Sequence, residues 1–270
     1  MYVPILKNRL YENKFLREHF DLFSEKITPL IEVITLVFGR SEKSIEEMIQ
    51  IYDNYFYSPY FIDFFAFSHD EYQQFDSSQV DLSLKIRDEA EFKYFDDLLF
   101  EASRSMKAIP VVSIKRARDF ILSKSVMIST IQKVQKCTSR MAVRIDSNLL
   151  DQFYDTLHPL LRKDDFLLYD IREDTIESKF FDLQAISQKK KDYKTIILNS
   201  PRPSKLKNGS YKDCAFTGLI DNSIRETYLT HGFDGYGDYA GLKDVLPTDG
   251  GNGKGAALGL FFVDEYNKFY

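Results

Sequence analysis

The fold is decided by residues 141–171, MAVRIDSNLLDQFYDTLHPLLRKDDFLLYDI, where two short apolar runs flank a helical pattern. The runs Met141–Ile145 and Phe166–Ile171 are rich in branched and aromatic residues, as in strands that are buried on both faces. Between them, Leu149–Leu161 places apolar side chains at helical spacing. Because a strand, a helix and a second strand in this order form a parallel βαβ unit, the stretch predicts an α/β fold.

The same alternation continues in both directions from this unit. Further short runs predict strands at Tyr2–Leu6, Ile27–Ile34, Tyr60–Phe67, Ala108–Ile114, Thr195–Leu198 and, more weakly, Gly235–Ala240. The clearest intervening helices are Asp88–Met106 and Ser44–Tyr52, which opens with a Ser-x-x-Glu capping box. Eight strands alternating with helices in about 250 residues are typical of a (β/α)8 TIM barrel. An open doubly wound sheet is the alternative, but no GxGxxG motif follows Leu6.

The carboxyl-terminal residues depart from the repeat. Residues 246–255, LPTDGGNGKG, read as a Gly-rich lid or connection, because they lack the GxxxxGK[ST] order of a nucleotide P-loop. Ala256–Tyr270 predicts a β-hairpin. We therefore expect one TIM-barrel-like α/β domain over residues 1–245 and a C-terminal extension over residues 246–270. The chain stops in apolar sequence at Tyr270, which leads us to expect a truncated end.

The composition is that of an ordinary globular protein and excludes several classes. With 36 basic and 41 acidic residues the net charge is −5, which disfavours nonspecific nucleic-acid binding. No apolar run reaches the roughly 20 residues of a membrane span, and the amino terminus does not have the pattern of a signal peptide. Cys137 and Cys214 lack metal-ligand or CxxC spacing, so we expect a reduced, cytoplasmic protein without membrane association.

Charged or polar side chains stand near the carboxyl end of every predicted strand, where barrels place their active sites. Because strand side chains alternate, the sequence predicts an inward-facing ring of Lys7, Glu32, Asp63, Ser113, Lys115, Arg144, Asp146, Asp170, Arg172, Asn199 and Asp238. An unpaired buried charge costs several kcal/mol, so each charged member needs a partner or a function. Structural ion pairs are the alternative, but they have no reason to favour one end of the barrel.

The basic members of this ring suit a phosphorylated or otherwise anionic ligand. The residues expected to bind substrate are Lys7, Lys115, Arg144, Arg172, Asn199, Asp238 and Arg202, the last from the basic segment after the seventh strand. The carboxylates Glu32, Asp63, Asp146 and Asp170 could act as general acid and base, or could bind Mg²⁺ or Mn²⁺. The sequence assigns no particular metal or other cofactor.

Three stretches together resemble the beta-protein family of phage and bacterial proteins. They are YVPILKNRLYE from Tyr2, ITPLIEVI from Ile27, and the segment Ile220–Gly255 that contains GDYAG. The resemblance implies a barrel encoded near prophages and mobile or defence loci. It covers most of the chain through short motifs, and the matching positions are Lys7, Arg9, Glu12, Glu32, Asp238 and Tyr239. The resemblance assigns no catalytic role to these positions, but it supports a shared site for Lys7 and Glu32.

Three functions remain open from the sequence. The first is an enzyme, such as a metal-dependent hydrolase or lyase, that acts on an anionic small molecule or nucleotide. The second is a noncatalytic sensor or interaction subunit of an anti-phage or toxin–antitoxin-like system, with a protein partner from the same locus. The aromatic stretches Tyr55–Phe67 and Leu260–Tyr270 favour that reading. Nucleic-acid binding is the third, and the negative charge and the absence of a recognition motif count against it.

Overall fold

Eight parallel strands close into a barrel in a computed structural model of the chain. The structure describes residues 1–24, 26–38, 41–64, 93–114, 123–203, 212, 214–240 and 262–270. The barrel strands are β1 (Tyr2–Lys7), β2 (Leu30–Val33), β3 (Tyr60–Phe64), β4 (Ala108–Ile114), β5 (Ala142–Asp146), β6 (Phe166–Asp170), β7 (Lys194–Asn199) and β8 (Gly235–Asp238). Each strand pairs with its neighbours in chain order, and β1 pairs with both β2 and β8, which closes the barrel. The expected TIM-barrel-like architecture is confirmed.

Helices surround the strands. They are α1 (Leu10–Glu18), α2 (Ile45–Tyr55), α3 (Lys93–Ser103), α4 (Lys124–Cys137), α5 (Leu150–Leu157), α6 (Phe180–Lys189) and the short α7 (Ser223–Thr227). The predicted capping box at α2 is confirmed: the backbone N–H of Glu47 donates to Ser44 Oγ at 3.2 Å, and Glu47 Oε2 accepts from the Ser44 N–H at 2.9 Å. The predicted helix Asp88–Met106 contains α3, and its residues before Lys93 lie outside the described part of the chain.

Side-chain alternation divides the interior into two cores. Inside the barrel, apolar side chains form the inner core: Val3, Ile5, Leu30, Phe61, Ile109, Val111, Ala142, Phe166, Leu168, Ile196 and Leu198. The intervening strand residues, such as Val143 and Ile145, pack against the helices in an outer core. The aromatic stretch from Tyr55 mostly serves these cores, because Phe56, Tyr60 and Phe61 are buried. These three rings are therefore not available to a partner.

The last barrel strand depends on two glycines. A Cβ added at Gly237 would overlap the backbone oxygen of Val3 in β1 and lie 2.7 Å from Leu198 Cδ2 in β7. At Gly235 the added atom would lie 2.6 Å from the backbone oxygen of Met1. The glycines lower strand propensity but allow β8 to approach both neighbours closely. This requirement explains why the strand signal in the sequence is weak.

A small antiparallel hairpin is present near the carboxyl terminus, as predicted. Phe262–Val263 pairs with Lys268–Phe269, and Asn267 takes the left-handed conformation in the turn. The hairpin is attached to the rest of the chain by backbone bonds from Thr217 N to Phe269 O at 2.8 Å and from Ile220 N to Asn267 O at 3.1 Å. The Gly-rich residues 246–255 lie outside the described residues. Among the helices that the structure describes, none is long and apolar enough to cross a membrane.

Candidate functional site at the carboxyl end of the barrel

Arg144 lies at the centre of a charged cluster inside the barrel and is completely shielded from solvent. Its Nε and Nη2 atoms donate to Asp170 Oδ2 at 2.9 and 2.6 Å. Its Nη1 atom donates to Glu32 Oε1 at 2.7 Å and to Asp63 Oδ2 at 3.0 Å. A fifth bond runs from Nη2 to the Tyr239 hydroxyl at 2.8 Å. A guanidinium has five N–H groups, so protein acceptors occupy all of them.

Parallel register places two of the partners of Arg144 side by side. Glu32 in β2 stands beside both Lys7 in β1 and Asp63 in β3. Lys7 Nζ lies 3.0 Å from Glu32 Oε2 and 4.5 Å from the centre of the Tyr239 ring. The Tyr239 hydroxyl donates to Glu32 Oε1 at 3.2 Å, and Ser113 Oγ donates to Asp63 Oδ1 at 2.6 Å. We call Lys7, Glu32, Asp63, Arg144, Asp170 and Tyr239 the buried ring; each is at most 3% exposed.

The buried ring is a strongly polar region in a protein interior. Burial alone would lower the pKa of Arg144, but Tyr239, Asp170, Glu32 and Asp63 together raise it well above its ordinary value. Arg144 is therefore a permanent cation that fixes three carboxylates in position. Such a network holds its charged side chains in place, but it rarely makes a protein more stable than apolar side chains of the same volume would. The inner core directly below is such an apolar filling.

Asp146 and Arg172 form a rim above the buried ring. Asp146 stands beside Asp170 in the register of β5 and β6, and its Oδ1 accepts the Asn148 N–H at 3.1 Å. Its Oδ2 lies 3.4 Å from Arg172 Nη1. Arg172 has a φ of +57°, and its N–H donates to Asp170 Oδ1 at 3.0 Å. Its side chain is 30% exposed, so the rim presents a cation that is partly open to solvent. Strained backbone of this kind is concentrated at functional sites.

The predicted ring residues fall into three groups. Eight come together at the carboxyl end: Lys7, Glu32, Asp63, Ser113, Arg144, Asp170, Asp146 and Arg172. Lys115 lies outside the described residues. Asn199 and Asp238 are not on the ring, because Ile196 and Leu198 of β7 and Gly237 of β8 take the inward positions. Asn199 and Asp238 are one residue out of phase with them and face outward.

Asn199, Asp238 and Arg202 meet instead at a cavity on the outside of the barrel, which we call the outer groove. It has a volume of about 480 Å³ and lies between the ends of β7 and β8, α7 and the C-terminal hairpin. Asp238 Oδ1 accepts hydrogen bonds from the Tyr2 hydroxyl at 2.9 Å and from Ala240 N at 2.7 Å. Burial raises the pKa of Asp238 above its ordinary value. The Arg202 guanidinium lies 5.6 Å from the centre of the Phe269 ring.

Two features of the ring differ from the expectation. Tyr239 belongs to it, and the signal was the alternation of Gly235 and Gly237, after which residue 239 is the next inward position. Arg144 was expected to hold an anionic ligand, but its five N–H groups are engaged by the protein. Arg144 therefore holds the three carboxylates in place.

The carboxylates considered for Mg²⁺ or Mn²⁺ converge on this guanidinium. Glu32, Asp63 and Asp170 each direct an oxygen at Arg144 at 3.0 Å or less. Within the described residues, no group of three or more His, Cys, Asp or Glu is arranged to hold a metal ion. The described ring does not fit a metal centre, and no metal-dependent step is assigned to it.

Comparison with known proteins places the chain in a family. A search of curated proteins found no match. A family model described as Beta protein matches residues 2–257, which is nearly the whole chain. The match includes every barrel strand and every residue of the buried ring, from Lys7 to Tyr239. The chain therefore belongs to the Beta protein family.

Proposed function

We propose that this protein binds a small molecule with a phosphate or another anionic group at the carboxyl end of its barrel. The observation that carries the proposal is the contrast between the two ends of the interior. The inward residues nearest the start of the strands are apolar, as Val3, Leu30, Phe61, Ala142 and Phe166 show, whereas the buried ring and the rim lie toward the carboxyl ends. Because apolar filling is at least as stable as buried ion pairs, the charges at one end favour a function over a structural role.

The cations that we assign to the anion are Arg172 and Lys7. Arg172 is the more accessible, with a planar guanidinium suited to two-point contact with phosphate. Lys7 is deeper and stands over the face of Tyr239, which directs its ammonium group into the barrel. Arg144 supports this arrangement indirectly, since it holds Glu32 and Asp170 in fixed positions.

The carboxylates give the same site a chemical capability. Glu32, Asp63 and Asp170 are each held by Arg144, and Ser113 adds a bond to Asp63. Carboxylates in rigid positions beside a bound substrate are suited to general acid–base catalysis. The reaction class that we propose is hydrolysis or cleavage of the anionic substrate, with proton transfer by one of these three groups.

The compartment that we propose is the cytoplasm. Cys137 and Cys214 are both exposed and are not joined to each other in a disulfide. Exposed thiols are stable in a reducing compartment and are readily oxidised outside it.

A thermal-shift panel tests the binding proposal. Inorganic phosphate, sugar phosphates and nucleotides are each added with and without Mg²⁺ or Mn²⁺. A ligand at about 100 times its dissociation constant adds roughly 2.7 kcal/mol, which raises the melting temperature by several degrees. We expect at least one such shift in the wild type, and we expect Arg172→Ala to remove it. The matched control is Arg104→Ala, whose side chain is 66% exposed in a pair with Glu101.

Two outcomes would overturn the proposal. One is a panel without any shift. The other is that every shift survives in Arg172→Ala as it does in Arg104→Ala, since all the anions would then bind elsewhere. Catalysis is tested separately with the ligand that shifts the wild type. Asp170→Asn should keep the fold, as judged by circular dichroism, at a lower melting temperature because Arg144 loses a charged partner, while turnover of that ligand is lost. Turnover at the wild-type rate in Asp170→Asn would remove Asp170 from the acid–base role.

A second candidate function, an interaction subunit of a phage-defence system, is favoured by one aromatic cluster. Phe216 contacts the rings of Tyr266 and Tyr270 at 5.0 and 5.2 Å, and each of the three is 46–49% exposed. Half-exposed aromatic clusters are enriched at protein interfaces. We expect Phe216→Ser to abolish co-purification with the product of a neighbouring gene while Arg172→Ala does not. Equal co-purification of both variants would argue against this surface.

A further inference from the structure

The outer groove differs from the outward faces of the other strands in the polarity of its residues. Outward-facing residues near the ends of the strands are apolar and packed against helices, as Val33, Phe64 and Ile145 show. The corresponding positions at the ends of β7 and β8 are Asn199, which is 8% exposed, and Asp238. Asp238 is held by hydrogen bonds from Tyr2 and Ala240, and both Asn199 and Asp238 also line a cavity of about 480 Å³. The groove is thus a built polar site that the buried ring does not use.

Aromatic rings form part of the groove wall. The rings of Tyr2 and Tyr236, 5.2 Å apart, line the cavity, and Tyr228 packs against Tyr236 at 5.1 Å. Phe262 and Phe269, 5.7 Å apart, stand on the side of the C-terminal hairpin. Flat aromatic faces bind planar rings by stacking, which contributes about 1–3 kcal/mol per base in single-stranded nucleic-acid sites.

The polar groups of the groove complement a planar heterocycle. The Asp238 carboxylate is held through Oδ1 by Tyr2 and Ala240, which fixes the orientation of the group toward the cavity. Asn199 and Asn222 also line the cavity, and an amide side chain offers both a donor and an acceptor. Carboxylate and amide groups in fixed positions can recognise the amino and ring N–H groups of a nucleobase.

Two arginines supply positive charge at the same cavity. Arg202 lies over the Phe269 ring at 5.6 Å, so its guanidinium is braced against an aromatic face. Arg225 projects from α7 and is exposed. Guanidinium groups recognise phosphate through planar two-point contacts and also stack on nucleobases. Aromatic walls, amide and carboxylate groups, and arginines thus occur together in one cavity.

We infer that the outer groove binds a nucleoside phosphate, with the base against the aromatic wall and Asp238, and the phosphate at Arg202 and Arg225. The cavity volume lies within the range of small-ligand sites, about 300–1,000 Å³. The groove and the buried ring lie on opposite sides of the barrel wall, since Asp238 faces outward and Tyr239 faces inward. The inference therefore does not depend on the function proposed for the ring.

Isothermal titration calorimetry with AMP, GMP, CMP and UMP tests the inference, with ribose 5-phosphate as the ligand that lacks a base. We expect at least one nucleotide to bind more tightly than ribose 5-phosphate. Arg202→Ala should weaken that binding by about tenfold or more, because it removes a charge-assisted hydrogen bond. Asp238→Asn should change the relative affinities of the four nucleotides. The matched control Arg104→Ala should bind as the wild type does.

The pattern among variants separates the groove from the ring. Loss of nucleotide binding in Arg202→Ala with normal binding in Arg172→Ala supports the groove. Loss in Arg172→Ala alone would overturn the inference and would place the nucleotide at the ring, in support of the proposed function. Equal binding of ribose 5-phosphate and all four nucleotides would also overturn it, because the base would then contribute nothing. Binding of no nucleotide by the wild type has the same consequence.

Discussion

Replacement of Arg144 by methionine should strongly destabilise the protein. The substitution removes the guanidinium that holds Glu32, Asp63 and Asp170 and leaves a shorter, unbranched apolar side chain. Removing one partner from a buried ionic network costs about 3–5 kcal/mol, because the remaining charges stay buried without compensation. In a domain of this size such a loss lowers the melting temperature by about 6–20 °C.

The destabilisation should depend on pH in a defined direction. Without the guanidinium, the buried carboxylates of the folded variant favour their protonated form. Above about pH 4 the same groups lose their protons in the unfolded chain, so the folded variant binds more protons than the unfolded chain does. Because the folded variant binds more protons than the unfolded chain, its stability relative to the wild type rises as the pH falls. We expect the difference in melting temperature to be largest near pH 8 and to shrink toward pH 5.

Differential scanning calorimetry across this pH range measures both effects. The control is Arg104→Met, which removes an exposed arginine paired with Glu101 and should change stability by less than about 1 kcal/mol. A loss below about 1 kcal/mol in Arg144→Met would refute the view that the ring is a charged network. A large loss that stays constant from pH 8 to pH 5 would show that lost packing, and not uncompensated charge, is the cause.

Three further predictions concern other parts of the fold. Gly237→Ala should destabilise the barrel by about 3 kcal/mol or prevent folding, because the new Cβ meets the backbone of Val3; urea titration measures the loss. Ser44→Ala should cost about 1 kcal/mol in the same titration, since it removes the cap that accepts the Glu47 N–H. Burial raises the folded-state pKa of Asp238, so above that pKa the charged carboxylate lowers the free energy of unfolding. Asp238→Asn should therefore stabilise the protein at neutral pH, and thermal melts should show this gain fading as the pH falls through the ordinary aspartate range.

The strands and six of the eight inward phases could be predicted from the sequence for a physical reason. In β5 and β6 a charged residue stands two positions after an apolar one, at Arg144 and Asp170, so alternation marks the inward face. In β7 the run Thr195–Leu198 is buried on both faces, and its apolar residues do not distinguish inward from outward. In β8 the inward positions are glycines without side chains, so the phase has no apolar signal.

The saturation of Arg144 could not be predicted from the sequence. Its acceptors come from four strand ends, and the Tyr239 hydroxyl meets Glu32 across 207 residues of chain. Periodicity assigns a residue to a face, but distances across the barrel depend on the shear and tilt with which the strands close. The sequence therefore predicted a cation among carboxylates, but it did not show that three carboxylates and the Tyr239 hydroxyl would accept all five of its hydrogen bonds.

We propose that the carboxyl end of the barrel receives an anion. Crystals soaked with tungstate, a heavy mimic of phosphate, locate that anion directly by anomalous scattering. We predict a peak within hydrogen-bonding distance, about 2.7–3.2 Å, of the Arg172 guanidinium and Lys7 Nζ, and no such peak in crystals of Arg172→Ala. Peaks confined to the outer surface, at tungstate concentrations that raise the melting temperature in solution, would contradict the claim.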